Sequence, residues 1–301
     1  MHVEFIKGTT MIPRSDTYST PTRLRSLLFA PAVRPDFVRK LPSRGADGVV
    51  VDCEDATPPN AKEEGRGNAR SLVPEIVGQG TQVFVRVNAV ASPWFRDDVV
   101  LGLASGLAGI VVPKVETLEQ LDEVDRVLAE AGHADLGVLA GLETALGVAD
   151  ARILLAHPRV TAAYFGAEDF IADMGGVRTP SNLEVQHARS VVALAGRLAG
   201  VTTLDQIVAE FTNDEAFVAE GEEARAMGYR GKLCIHPRQV PLANTAFVPS
   251  GEEVEHATRL LAAYDAASSA GVAAIEFEGQ MVDEPLAARA RQVLAAAEEG
   301  T

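Results

Sequence analysis

The run Gly48-Val49-Val50-Val51-Asp52 decides how the chain is read, because it is apolar, β-branched, and ends abruptly on a carboxylate. A strand with one wet face alternates apolar and polar residues, whereas an unbroken apolar run of this length marks a parallel strand covered on both faces. Gly109-Ile110-Val111-Val112-Pro113 and Gly137-Val138-Leu139-Ala140-Gly141 repeat the pattern. Working outward from these, similar runs place strands over residues 24–30, 48–54, 82–88, 109–115, 136–143, 162–169, 201–205 and 231–236.

The stretches between them carry helical periodicity. Leu118, Leu121, Val124 and Leu128 form one apolar stripe, and Val185, Val192 and Leu198 form another over 184–199, with Gly132 and Gly200 as stops. Strands alternating with helices in a 301-residue chain predict a (β/α)8 TIM barrel, with an open doubly wound sheet as the competing architecture. The expected organisation is a poorly ordered N-terminal arm over 1–22, the barrel over 23–248, and a C-terminal helical extension over 249–301. In that extension two helical segments flank a hairpin or loop at 272–283, and the extension serves to close the site or join subunits.

Composition bounds the function. Hydrophobic residues make up 47% of the chain and charged residues 23%, enough for a sizeable core without disulfides. Cys53 and Cys234 are too few and too far apart for a disulfide framework or a metal-ligand pair, which suits a reducing cytoplasm. No segment has signal-peptide or membrane-span character. With 27 Lys and Arg against 42 Asp and Glu, a net charge of -15 argues against a general nucleic-acid binder. A polyanionic ligand would need a local basic pocket.

In a barrel of this kind the C-terminal strand ends converge on the active site. Asp52, Glu54 and Asp55 stand at the end of the second strand, Arg86 and Asn88 at the third, Lys114 at the fourth, Glu143 at the fifth, Glu168 and Asp169 at the sixth, and His236 at the eighth. Each has an ordinary alternative: a carboxylate after a strand often caps the next helix, and charged strand ends are often solvated. Gathered at one mouth, however, such charges need a compensating ligand. Glu143 and Asp169, on adjacent strand ends, form a hard oxygen pair of the kind that magnesium takes, leaving positions open for a chelating 2-oxo acid.

The blocks RSLLFAP, GADGVVVDCEDATPPNAKEEGR, VFVRVNA, GIVVPKVET, GLETALGVADARILLA, YFGAEDF, GYRGKLCIHPRQV and GQMVDEP, in this order from Arg25 onward, resemble the HpcH/HpaI aldolase and citrate lyase β-subunit (CitE-like) family, related to malyl-CoA lyases. The resemblance implies the barrel, Mg2+, acyl-CoA or related thioester substrates with 2-oxo acids, and a homotrimer or hexamer. By position it implies that Glu143 and Asp169 are metal ligands, Arg86 the substrate-binding arginine, and Asp283 an aspartate that reaches a neighbouring subunit's site. Ala32 replaces a frequent glycine after the first strand, and GLET replaces the commoner IET.

The expected chemistry is magnesium-dependent cleavage or formation of a carbon–carbon bond in a 3-hydroxyacyl thioester. In this reading Arg86 meets the developing enolate, and Asp283 moves the proton, with Asp52 and Glu54 as alternates. Arg25, Lys62 and Lys114, together with Arg34 and Arg66, are expected near the strand mouths as coenzyme-phosphate contacts, Arg25 and Lys62 foremost. A malyl-CoA-type thioesterase and a carrier-protein-dependent citryl lyase subunit are the competing functions.

Overall fold

The computed structural model describes residue 18 and residues 23–300, with side chains through residue 298. Apart from Tyr18, the expected N-terminal arm lies outside the described residues. Eight parallel strands close on themselves in sequence order: β1 (Ser26–Pro31), β2 (Gly48–Asp52), β3 (Gln82–Arg86), β4 (Gly109–Val112), β5 (Val138–Leu142), β6 (Val160–Phe165), β7 (Thr202–Asp205) and β8 (Gly231–Cys234). The chain is therefore a (β/α)8 barrel, and the open doubly wound sheet is excluded, because β1 pairs with β8 as well as with β2.

Every strand of the barrel is shorter than the sequence suggests. The C-terminal end shifts most at β6, which stops at Phe165, so that Asp169 stands on the first turn of the helix Ala167–Met174 rather than on the strand. The apolar run misleads here because the helix begins with residues that pack against the sheet, Ala167 and Phe170 both being buried.

The helices also depart in detail from the predicted stripes. Thr117 caps the helix Leu118–Glu130 through a reciprocal capping box with Gln120, so Leu118 is its first residue and remains 38% exposed, while Val127 joins Leu121, Val124 and Leu128 in the core. On Leu183–Ala199, Leu198 is 40% exposed and small residues face the sheet instead. A methyl at Gly196 would overlap the Thr203 side chain, which shows how closely helix and strand approach. Gly132 and Gly200 adopt the left-handed backbone that ends a helix, as expected.

The closure seam is equally tight. A Cβ at Gly231 would run into the carbonyl oxygen of Leu24, so only glycine lets β8 dock against the start of β1. Inside the barrel, Leu27, Val50, Phe84, Val111, Leu139, Ala162, Leu204 and Leu233 interdigitate in one cluster. Their neighbours on each strand point outward to the helices.

The chain divides into two compact units after Asn244, a few residues before the expected boundary at 248. The second unit has its own small core, in which Ala257, Leu260, Leu261 and Tyr264 of the helix Gly251–Ser269 meet Ala287 and Ala290 of Glu284–Gly300. The segment between these helices is an antiparallel hairpin, β9 (Ile275–Phe277) and β10 (Gln280–Val282). No helix among the described residues is long and apolar enough to cross a membrane.

Candidate active site

Period-two alternation selects the polar side chains that enter the barrel. Val50, Phe84, Leu139 and Ala162 face its interior, so the residues two further along, Asp52, Arg86, Gly141 and Tyr164, face it as well. Another step places Glu143 and Gly166 at the top. A cavity of about 460 Å³ opens there, with Phe29, Asp52, Arg86, Glu143, Tyr164 and Asp169 in its wall.

Arg86 is fixed before any ligand arrives. Its Nε and Nη2 donate to Asp52 Oδ1 and Oδ2 at 2.7 and 2.6 Å, a bidentate pair between residues in register on adjacent strands. Its Nη1 lies 3.0 Å from Glu54 Oε2, an ion pair outside hydrogen-bond geometry, and the guanidinium sits 5.2 Å from the centre of the Phe29 ring. Asp52 also accepts the amide of Glu54 at 2.9 Å. Both alternates for proton transfer, Asp52 and Glu54, are thus occupied in holding cations as the structure places them.

Lys114 gathers the acids. Its φ of 52° is left-handed, a costly conformation for a residue with a side chain. That turn aims its amide at Glu143 Oε2, 3.0 Å away, while Nζ lies 2.5 Å from Glu54 Oε1, 3.3 Å from Asp55 and 3.5 Å from Asp169. One residue therefore touches four carboxylates. Burial opposes the Lys114 charge, but Glu54 and the other acids hold its pKa above the usual lysine value. Burial pushes Glu54 up from the ordinary carboxylate range despite Arg86 and Lys114.

Glu143 is only 2% exposed. Burial pushes its carboxyl up to about 7, with Arg86 pulling the other way. It does not cap the following helix; Thr144 does, accepting the Gly147 amide at 3.1 Å. Its side chain occupies the space above Gly166, where a Cβ would lie 2.6 Å from Glu143 Cγ.

Among the described residues no group of three or more His, Cys, Asp or Glu side chains is arranged to hold a metal ion. The mouth offers a pair, Glu143 and Asp169, linked through Lys114. All-oxygen donors, few in number and with room for water and ligand oxygens, fit magnesium rather than zinc. A carboxylate whose proton affinity is raised by burial fits the same ion.

The cations expected around the mouth are mostly engaged elsewhere. Arg25 stands at the opposite, N-terminal end of the barrel, a correction to its expected position, where Asp47 takes its Nε and Nη2 at 2.8 and 2.9 Å. Lys62 is buried and donates to the carbonyls of Cys53 and Glu54, tying down the loop after β2. Arg66 pairs with buried Asp98 at 3.0 Å. Arg34 is exposed after β1, paired with Asp36 and packed on Phe37. Asp283 belongs to the C-terminal unit, immediately before the helix Glu284–Gly300, and its Oδ1 is buried without a hydrogen-bond partner. His236 stacks on Phe211, ring centres 4.7 Å apart.

Two features escape the strand-end reading. Arg189, Asp205 and Lys232 form a fully buried ionic cluster between sheet and helices, Asp205 accepting from Arg189 at 3.0 and 3.1 Å and from Lys232 at 2.7 Å. A lysine inside the short apolar strand Gly231–Cys234 was the available signal. The other is Tyr164, whose hydroxyl is buried without a partner in hydrogen-bond geometry.

The family described as HpcH/HpaI aldolase/citrate lyase matches residues 25–237. The chain belongs to this family. It is 48% identical over 278 residues to a citrate lyase subunit beta-like protein of Deinococcus radiodurans, covering 91% of this chain and 97% of the relative. It is also 33% identical over 275 residues to a (3S)-malyl-CoA thioesterase of Cereibacter sphaeroides, covering 91% and 94% of the two chains. Among solved structures of the family, CitE from Mycobacterium tuberculosis in complex with magnesium, acetoacetate and coenzyme A superposes with a TM-score of 0.78 at 31% identity, covering 93% of this chain and 98% of that one.

Proposed function

We propose that this protein is a magnesium-dependent carbon–carbon lyase that splits a 3-hydroxyacyl-CoA-type thioester into a 2-oxo acid and an acyl thioester, or runs that reaction in reverse. The observation that carries the reading is the meeting of buried Glu143 with the preset guanidinium of Arg86 on one cavity. Similarity to a CitE crystallised with magnesium, acetoacetate and coenzyme A supports the ligand classes.

Glu143 and Asp169 would hold the metal, which when bound supplies Lewis-acid polarisation of the oxo-acid oxygens. Cleavage removes the proton of the 3-hydroxyl as its oxygen becomes the new carbonyl. The C2–C3 electron pair passes to the thioester as an enolate, and the enolate carbon then takes up a proton. Arg86 places permanent positive charge where the enolate oxygen develops, and Asp52 keeps that charge oriented with no reorganisation during reaction. Asp283 is the proposed proton carrier, supplied across a subunit interface in a trimer or hexamer. Lys114 orients the acids around the metal position.

The family relative with thioesterase activity in its name supports a second reading, in which water attacks the thioester carbonyl at the same site. A panel of malyl, methylmalyl, citramalyl and citryl thioesters with magnesium separates the two. Release of the 2-oxo acid with the thioester intact supports the lyase. Release of free coenzyme thiol without a 2-oxo acid overturns it in favour of the hydrolase.

A further inference from the structure

The barrel interior is layered so that a large residue on one strand sits against a glycine on the next. Gly141 and Tyr164 are register partners on β5 and β6, and a Cβ at 141 would lie 2.5 Å from the Tyr164 hydroxyl oxygen. The ring therefore occupies the space that Gly141 leaves, and its hydroxyl is carried to the cavity floor. Tyr164 is 1% exposed.

That hydroxyl is placed at a cost. Its nearest carboxylate is Glu143, close enough for each group to shift the other's proton affinity but not aligned as a hydrogen bond, and it also feels the charges of Arg86 and Glu54. A phenylalanine would fill the same space without burying an unpaired polar atom. A stranded donor at the base of a cavity lined by a guanidinium and a carboxylate is suited to an anionic oxygen entering from above. Asp52 takes Nε and Nη2 of Arg86, and Glu54 draws Arg86 Nη1 and Lys114, so the Tyr164 hydroxyl adds an uncharged donor beside the guanidinium.

Resting on the function proposed above, we infer that the Tyr164 hydroxyl donates a hydrogen bond to the bound 2-oxo acid and helps select it, with Gly141 providing the clearance. Tyr164 is then a substrate-contacting residue.

The test is calorimetric binding of magnesium alone, then of glyoxylate, pyruvate and oxaloacetate at saturating magnesium, to full-length wild type and Tyr164→Phe. The expected result is magnesium affinity unchanged, affinity for the 2-oxo acid that wild type binds lower by about 10-fold or more, as for a lost bond to a charged acceptor, and thermal stability equal or higher. Unchanged 2-oxo acid affinity overturns the inference alone. An equal fall in magnesium affinity also overturns it, because the hydroxyl then serves Glu143. If wild type with magnesium takes up neither glyoxylate nor pyruvate nor oxaloacetate, the proposed reaction falls, and this inference with it.

Discussion

Asp52 grips Arg86 through both carboxylate oxygens, at 2.7 and 2.6 Å, from the adjoining position on the next strand. The pair is almost wholly enclosed, and removing one member of such a pair leaves the other charge uncompensated. Asp52→Asn is expected to cost about 3–5 kcal/mol of stability, measured by urea unfolding. Its turnover should fall more than that of Glu54→Gln, because Glu54 makes only a single-point contact with the guanidinium.

Glu143 gives the metal-free protein a pH signature. Its carboxyl titrates at about 7 in the folded chain, against an ordinary value of 4.5. A raised carboxylate means that the folded state binds the proton more tightly, so stability is greatest below the ordinary value and declines as pH rises toward 7. The decline should amount to about 3 kcal/mol. Unfolding of metal-free wild type and Glu143→Gln between pH 5 and 8 isolates it, since the difference between the two proteins should track this window and flatten above it.

Gly166 leaves the space that the Glu143 side chain fills. Gly166→Ala would bring a methyl to within 2.6 Å of Glu143 Cγ and 2.8 Å of Oε1. Overpacking of this kind costs about 1–3 kcal/mol. The more telling readout is magnesium affinity, expected to drop at least 10-fold as the carboxylate is displaced; unchanged binding would show that Glu143 does not hold the ion.

The ionic cluster of Arg189, Asp205 and Lys232 lies between sheet and helices and contributes no side chain to the mouth cavity. Lys232→Met should lower stability by about 3–5 kcal/mol while leaving the turnover of the remaining folded protein within about twofold. A selective loss of turnover at full stability would reassign the cluster to function.

Much of this architecture is legible in the amino-acid order because parallel buried strands announce themselves. GVVVD and GIVVP admit few other readings, and the carboxylates and arginine that follow them fall where a barrel converges. Asp169 was located correctly at the mouth but on the wrong element, because apolar residues of a helix start resemble the strand they follow. Phosphate contacts proved harder, since a lysine's neighbours are not written beside it: Lys62 spends its charge on two loop carbonyls, and Arg25 stands at the wrong end of its strand. Tyr164 was invisible for another reason. An aromatic residue in a strand reads as core, and only its opposition to Gly141 reveals where the hydroxyl goes.

The seam between β1 and β8 has a consequence for biosynthesis. The first barrel strand to leave the ribosome must wait for the last, so β1 and β7 present bare edges until the segment around Gly231 emerges. Because no side chain fits where Gly231 meets Leu24, a substitution there should act chiefly on the nascent chain, diverting it into insoluble material.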